Sequence, residues 1–528
     1  MKLGKCCRGT KGRGLHELLQ TAPLVSLAVK GSEGIVEERE HLLTQLRYLE
    51  SRLFELQSDG GASYRGGNKD RKLTTEIEGK AEVLRRQIED LDEKILADNP
   101  HVKELLKQEI QTVDPVDIQK SLSGDAALID WIVAPEYTAA FVIWRDGFEV
   151  VRLDIQRDHL EAMIDRLVQS QDLSSGAVKE ARTWYHDFSI FNEYVQASHS
   201  VYVDVLEPVL IAFNRAGFYP STLIMIPDGT LGNVAWNSLV VKAPDEPVQS
   251  LEGFRTLDYL VDFYAIASMP SSAFYHDRVK AAHETGREES LRIRCLANPP
   301  SPAGPLKHAE KELELIRGME GKSAVQLFPY VGMQASRERL SHGKPADVVH
   351  LICHGDFDNE NPMYSRLYLA GSKESCKEEE IPEVESKEGN SAFTLSLRKP
   401  REVSLEDVED YDGFFYARDW YQSNIEPAWM TVLSSCSVGR SGFYGLDTFG
   451  MTRGIFYAGC SWILGALSPV DDNATPELMM LFYEELSQDC SNREVSHVLQ
   501  RAILELRSRF PQYGHPMFWA MWQVVGPG

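Results

Sequence analysis

Two short apolar runs in this 528-residue chain end in side chains able to do chemistry. VVHLICHGDF at 348–357 delivers His354 and Gly355 at its exit. MTVLSSC at 430–436 delivers Cys436, followed by SVGRSG. A thiol becomes an effective nucleophile when a neighbouring base or a lowered pKa supplies thiolate. A histidine across a crevice is a base of suitable strength near neutral pH. Gly355 lets backbone approach a reacting carbonyl closely, and the N–H groups of Gly355 and Cys436 are candidates for an oxyanion hole. The types and positions therefore suggest a His354/Cys436 dyad for acyl transfer.

The same stretch admits other readings. In an extended run His350, Ile352 and His354 point one way, and Val349, Leu351 and Cys353 the other. His350 lies inside the run and reads as a packed core histidine; Cys353 reads as a small core residue. A zinc site from His350, Cys353 and His354 would need a fourth ligand, and the alternation turns Cys353 away. A single His and a single Cys at strand ends also arise by chance, so spacing alone leaves the dyad open.

The elements around these residues explain how they could meet. After residue 290 short apolar runs alternate with helical connections: IRCLAN (293–298), an amphipathic helix over 306–319, AVQLF (324–328), VVHLIC (348–353), MTVLSSC (430–436) and SWILGAL (461–467). This predicts a mostly parallel sheet covered on both faces. Right-handed crossovers bring the C-terminal ends of such strands to one edge, where ligand sites lie. Further upstream, ALIDWIVAPEYTAAFVIWRDGFEVVRLDI predicts a three-strand meander turning at PEY and RDG. Helices follow over about 158–215, then a buried strand, STLIMIPDGT at 221–230, ending in a Pro-Asp-Gly turn. Near the N-terminus, Leu42, Leu46, Leu49, Leu53 and Leu56 form an a/d stripe; Ile77, Leu84, Ile88, Leu91 and Ile95 continue it beyond a Gly-rich linker at 58–71. That pattern predicts a coiled-coil-like helical hairpin, either packing against itself or offering a surface to an activating protein partner.

Bulk composition narrows the classes. Lys and Arg number 55 against 79 Asp and Glu, a net charge of −24, which argues against nucleic-acid binding. No apolar run approaches the ~18 residues of a membrane span. The basic N-terminus is not followed by an uninterrupted apolar segment, so no signal peptide is expected. The eight cysteines include no CxxC pair, which fits neither a zinc ribbon nor a disulfide scaffold and suggests a reducing cytoplasm. No cofactor and no metal are expected.

The ordered motifs resemble the CHAT family, caspase-like cysteine peptidases related to separases and usually found behind TPR repeats. LIMIPDGTLGNVAWNSL (223–239), YLVDFYAIASMPSSAF (259–274), RCLANPPSPAGPLKHAEKEL (294–313), VVHLICHGDF, NPMYSRLYLAG (361–371), VLSSCSVG (432–439), the stretch 446–486 and HPMFWAMWQVVG (515–526) carry the likeness. TKGRGLHELL (10–19) resembles the end of the helix leading from TPR repeats into that domain, although no 34-residue repeat precedes it. The resemblance implies an α/β fold: a caspase-like, mostly parallel sheet flanked by helices, preceded by a pseudo-caspase-like α/β region and an N-terminal helical hairpin. It divides the chain into a helical region at 1–100, an N-terminal half at 126–285 and a catalytic half at 290–528. It implies a cysteine endopeptidase acting on protein substrates, with His354 as general base, Cys436 as nucleophile and Gly355 as an oxyanion donor. The alternative is a catalytically silent adaptor or scaffold on the same fold.

Three departures from the family pattern stand out. Ser435 replaces the usual Ala before the nucleophile, and Ala235 replaces a Pro. Residues 371–400 resemble an insertion, with seven Glu and three Lys within 373–389; such a segment buries little surface and reads as a solvated loop or a regulatory segment near the cleft. The loop PVDDNAT (469–475) should flank that cleft, so Asp471 and Asp472 are candidates for an S1 pocket favouring Arg or Lys; the alternatives are an apolar, small or acidic P1 residue, with the aspartates capping the next helix or facing water. Asn473 and Thr475 are the expected caps of the following helix, which would leave both aspartates uncommitted.

Overall fold

The computed structural model describes residues 113–180, 189–250, 252–272, 290–301, 304–321 apart from 307, 324–356, 365–371, 413–421, 428–434, 451–467, 470–488 apart from 472, and 494–528, with a few single positions besides. The chain divides into two compact units, Met1–Thr112 and Val113–Gly528. In the first unit the described positions are 42, 80, 83, 87, 91 and 94, each in helical backbone. The rest of the predicted hairpin, residues 372–400 of the insertion, Cys436 and Asp472 lie outside the described residues.

The second unit is built on the predicted meander. β1 (Ala126–Val133), β2 (Thr138–Trp144) and β3 (Gly147–Leu153) pair antiparallel in sequence. β1 is buried along nearly its whole length, as its continuous apolar run requires; β3 alternates between half-buried and exposed residues and ends the sheet. The two-residue turn between β2 and β3 needs Gly147, where a Cβ would stand 2.1 Å from the Trp144 ring. Helices Arg157–Glu180, Ser189–Val201 and Glu207–Ala216 then cross over to β4 (Thr222–Ile226), which pairs parallel with β1 and with β5 (Ala265–Ser268).

The alternating stretch after 290 supplies β6 (Leu291–Ala297), β7 (Val325–Val331) and β8 (Val348–Ile352). A second small sheet, not legible in the sequence, follows. It orders β9 (Gly355–Asp356), β10 (Arg366–Tyr368) and β11 (Phe414–Tyr416) as β11-β10-β9. The chain then returns to the large sheet with β12 (Met430–Ser434) and β13 (Trp462–Ala466). Five of the six large-sheet strands after 290, namely β6, β7, β8, β12 and β13, fall within a few residues of their expected runs. The last strand, β14 (Trp522–Val525), runs antiparallel to β13 and parallel to β5, so it joins the two halves. The result is one sheet of eleven strands, ordered β3-β2-β1-β4-β5-β14-β13-β12-β8-β6-β7. Among the described residues of this sheet, the antiparallel pairs are β1–β2, β2–β3 and β13–β14. The fold is thus α/β with a large, mostly parallel sheet flanked by helices.

Both faces of the large sheet are covered. On one face Ile129, Val432, Leu464 and Val524 pack with Leu160 and Ile164 of the first crossover helix and with Leu313 and Ile316 of helix Ala309–Arg317. Leu478 and Leu499, from helices Ala474–Gln488 and Val495–Arg509, complete that layer. On the other face Leu128, Ile224, Leu351, Leu433 and Ile463 pack with Ile118, Leu340 and Ile455 from helices Pro115–Ser121, Arg337–His342 and Met451–Tyr457.

Polar side chains fix the joints that the family-like motifs mark. Asp228 of the Pro-Asp-Gly turn accepts the Val133 N–H through Oδ2 at 2.8 Å, and Gly229 takes φ +56 there. Asn237 donates from Nδ2 to the Trp522 carbonyl at 3.1 Å, while Gln523 donates from Nε2 to the Val234 carbonyl at 3.2 Å. These reciprocal bonds tie VAWNSL to the closing strand, and both side chains are buried. Replacing Asn237 by Ala strips a buried carbonyl of its donor, which costs about 1–3 kcal/mol. Urea unfolding of Asn237→Ala should show that loss as a lower midpoint; an unchanged midpoint would mean the tie contributes nothing to stability.

Candidate active site

β8 and β12 are neighbours in the sheet, paired parallel from Met430↔Val348 to Ser434↔Ile352. His354 follows β8 by two residues. Its imidazole is half-buried, and Nε2 lies 2.9 Å from the Gly304 carbonyl oxygen. A carbonyl can only accept, so Nε2 carries the proton and, in the neutral ring, the basic lone pair is on Nδ1.

The Gly304 carbonyl is held by the loop that leaves β6. Asn298 enters it with φ 49, donates its N–H to the Ile352 carbonyl at 2.8 Å, and accepts the Leu306 N–H through Oδ1 at 2.9 Å. Asn tolerates this left-handed backbone better than most residues because its short side chain bonds locally. Gly304 itself has φ +81 and donates its N–H to the Ser301 carbonyl at 3.0 Å. One loop therefore clamps the end of β8 and orients the ring two residues beyond it. Sequence reasoning missed Asn298 and Gly304; the run NPPSPAG, dense in turn formers, was the available signal.

Gly355 opens β9 and stands opposite Leu367 of β10. The adjoining pair is hydrogen-bonded, with Tyr368 donating its N–H to the His354 carbonyl at 2.9 Å. Bonded and non-bonded pairs alternate in an antiparallel ladder, so the Gly355 N–H is directed away from β10. Tyr368 also meets the His354 ring edge-on, with centroids 6.2 Å apart. Beyond it the Arg366 guanidinium lies 4.1 Å over the Phe414 ring. This stack of aromatic rings and a guanidinium is a feature of the small sheet that the sequence did not reveal.

Beneath the strand exits lies a buried polar cluster. Ser434, the last residue of β12, donates from Oγ to Glu312 Oε2 at 2.9 Å. Glu312 Oε1 is 2.9 Å from His350 Nε2, and His350 Nδ1 is 2.8 Å from the Tyr483 hydroxyl. All four side chains are buried, Glu312 and His350 at 0% exposure. Burial, with the nearby Cys295 and Glu312 groups, pushes the Tyr483 hydroxyl well above its usual value. His350 is a core histidine, on the face opposite Cys353, as the strand alternation requires. The charge at Glu312, within the otherwise apolar stripe Ala309–Leu313–Ile316, was the sequence signal for this cluster.

Cys353 is wholly buried, and desolvation pushes its thiol up to about 12. Cys460 is raised to about 11 by the same cause. Neither is a nucleophile at neutral pH. Cys353 also faces away from His350, and among the described residues no group of three or more His, Cys, Asp and Glu side chains is arranged to hold a metal ion.

The loop before helix Ala474–Gln488 differs from expectation. Asp471, not Asn473 or Thr475, caps that helix. Its Oδ1 accepts the N–H groups of Asn473 and Ala474 at 2.9 and 3.0 Å, and its carbonyl accepts the Thr475 N–H. An Asx turn reaches two and three residues forward, and Asp471 precedes the first helical residue, Ala474, by that distance. Asp471 is half-buried. Cys436 and Asp472 are outside the described residues, so the structure brings together His354, Gly355 and the β12 exit from among the sequence-predicted groups.

Comparison with known proteins gives a family. The CHAT domain matches residues 196–527. No curated protein sequence matches the chain. Chains of two crystal structures of the Saccharomyces cerevisiae separase–securin complex are similar at 10% identity. One match covers 88% of this chain and 34% of the other, with TM-score 0.44; the second covers 80% and 31%, with TM-score 0.45. This chain thus spans about a third of the length of the chains it matches. No helix among the described residues is long and apolar enough to cross a membrane.

The buried thiols yield a direct check. Iodoacetamide at pH 8 should leave Cys353 and Cys460 unmodified in the folded protein and label both after denaturation, read by peptide mass spectrometry. Because each titrates higher in the fold than at the ordinary value of 9.0, their contribution to stability is complete below that pH and is lost as pH climbs toward about 11 and 12. Rapid labelling of either in the native state would contradict their placement in the core.

Proposed function

This chain belongs to the CHAT family, and on that footing we propose that it is a cysteine endopeptidase that cleaves protein substrates with His354 as general base and Cys436 as nucleophile. The observation that carries the reading is the β8–β12 register. Ile352 and Ser434 are the last paired residues, and His354 and Cys436 each stand two residues past their own strand's member of that pair. Parallel neighbours run about 4.8 Å apart, so two equal extensions from such a pair are within side-chain reach.

The chemistry follows from the ring's orientation. With Nε2–H given to the Gly304 carbonyl, Nδ1 is the nitrogen able to take the Cys436 proton. The thiolate then attacks the scissile carbonyl carbon, and the oxygen takes the negative charge. The outward-directed Gly355 N–H, with that of Cys436, is the donor pair proposed for this oxyanion. Collapse breaks the C–N bond, and His354 returns the proton to the departing amine. Water, deprotonated by the same ring, then cleaves the thioester and restores the thiol.

Asp471 and Asp472 remain the proposed source of a preference for Arg or Lys at P1, with Asp471 also serving its helix cap. The N-terminal helices at 36–96 are the proposed site of an activating protein partner, and the protein is proposed to act in the cytoplasm. Labelling with Arg-, Leu- and Asp-directed acyloxymethyl ketones tests the catalytic reading. Wild type should react fastest with the Arg probe. Cys436→Ala should abolish labelling and His354→Ala should slow it by about 10²-fold or more. Labelling that persists in Cys436→Ala would remove Cys436 from the role, and no labelling with any probe would point either to a latent enzyme awaiting its partner or to the silent adaptor.

A further inference from the structure

The proposed dyad sits on two strand exits, and one buried carboxylate touches both strands. Glu312 accepts the Ser434 hydroxyl, two residues before Cys436, through Oε2. Its Oε1 stands 2.9 Å from His350 Nε2, four residues before His354, a close polar contact not aligned as a hydrogen bond. His350 is anchored on its other side by Tyr483 from helix Ala474–Gln488. Glu312 lies in the first turn of helix Ala309–Arg317, where a negative charge is favourable. That helix directly follows the loop whose Gly304 carbonyl orients His354. A wholly buried carboxylate is costly unless its partners are fixed. Here the partners are groups on β8 and β12, set among apolar residues that pack without any such charge.

We propose that Glu312 is a positioning residue, whose carboxylate bridges Ser434 and His350 and so holds the exits of β12 and β8 in the register that aligns Cys436 with His354. The inference rests on the endopeptidase reading. It differs from a packing role because the bridge joins two strands to one helix just beneath the strand exits. Removing it should disturb the alignment of thiol and imidazole more than it disturbs the fold.

The test uses the full chain and reads Cys436 itself. Alkylation by iodoacetamide is followed across pH by peptide mass spectrometry in wild type, His354→Ala, Glu312→Ala, Glu312→Gln and Ser434→Ala, with circular dichroism melting beside it. In wild type the Cys436 profile should report a thiol titrating below the usual thiol range, and His354→Ala should return it there. Glu312→Ala and Ser434→Ala should move the profile the same way, lowering the rate at pH 6.5 about tenfold or more. Glu312→Gln keeps an oxygen for the Ser434 hydroxyl and should retain most of the wild-type rate. If Glu312→Ala does not fold, Ser434→Ala, which removes one hydroxyl, decides the matter. Folded Glu312→Ala and Ser434→Ala proteins that melt lower but keep the wild-type pH profile would overturn the inference while leaving the dyad intact. A Cys436 profile unmoved by His354→Ala would instead overturn the dyad, and the positioning role with it.

Discussion

Neighbouring parallel strands leave a sheet at the same edge, and the pairing of β8 with β12 brings the ends of these two strands to one level there. Seventy-seven residues, 353–429, separate the end of one strand from the start of the other, yet their register brings Ile352 level with Ser434. The equal offset of His354 and Cys436 from that level follows from chain arithmetic once the register is set. A sheet register fixes the relative level of two distant strand ends with few degrees of freedom, because each backbone hydrogen bond along the ladder fixes the same offset. The crossovers, the covering helices and the flanking strands keep these two strands inside the sheet and buried on both faces.

Around that pair the sheet is completed from both directions. β14, from the last residues of the chain, lies between β5 and β13, so the C-terminal segment closes the joint between the halves. The reciprocal bonds of Asn237 and Gln523 satisfy buried carbonyls on either side of it. Buried backbone groups without partners are costly, which explains why polar side chains occupy these apolar surroundings. The same reasoning accounts for Asp228, whose carboxylate receives the last N–H of β1. Motifs that look like family signatures are, in this chain, the points where strand ends must be satisfied.

The candidate site is shaped by backbone as much as by side chains. Gly304 contributes a carbonyl, Asn298 a left-handed turn, and Gly355 an N–H turned outward by its place in the β9–β10 ladder. Such contributions depend on φ, ψ and register. A residue list conveys them poorly, because many sequences reach the same backbone shape. Helix capping shows the same limit: Asn473 and Thr475 are chemically reasonable caps, but the loop geometry gives the task to Asp471.

The apolar runs, their alternation and their separation by turn formers determined the strands near 126–153 and 222–226 and, beyond 290, β6, β7, β8, β12 and β13, because burial and local propensity act over a few residues. They also determined that His350 and Cys353 face opposite sides, since a strand has period two. The motif order carried the family. Only the tertiary structure decided which strands are neighbours, that the final segment closes the sheet, that Gly304 orients His354, and that Glu312 meets both Ser434 and His350. Those outcomes depend on contacts between residues tens to hundreds of positions apart, where local pattern holds no information about partner or register.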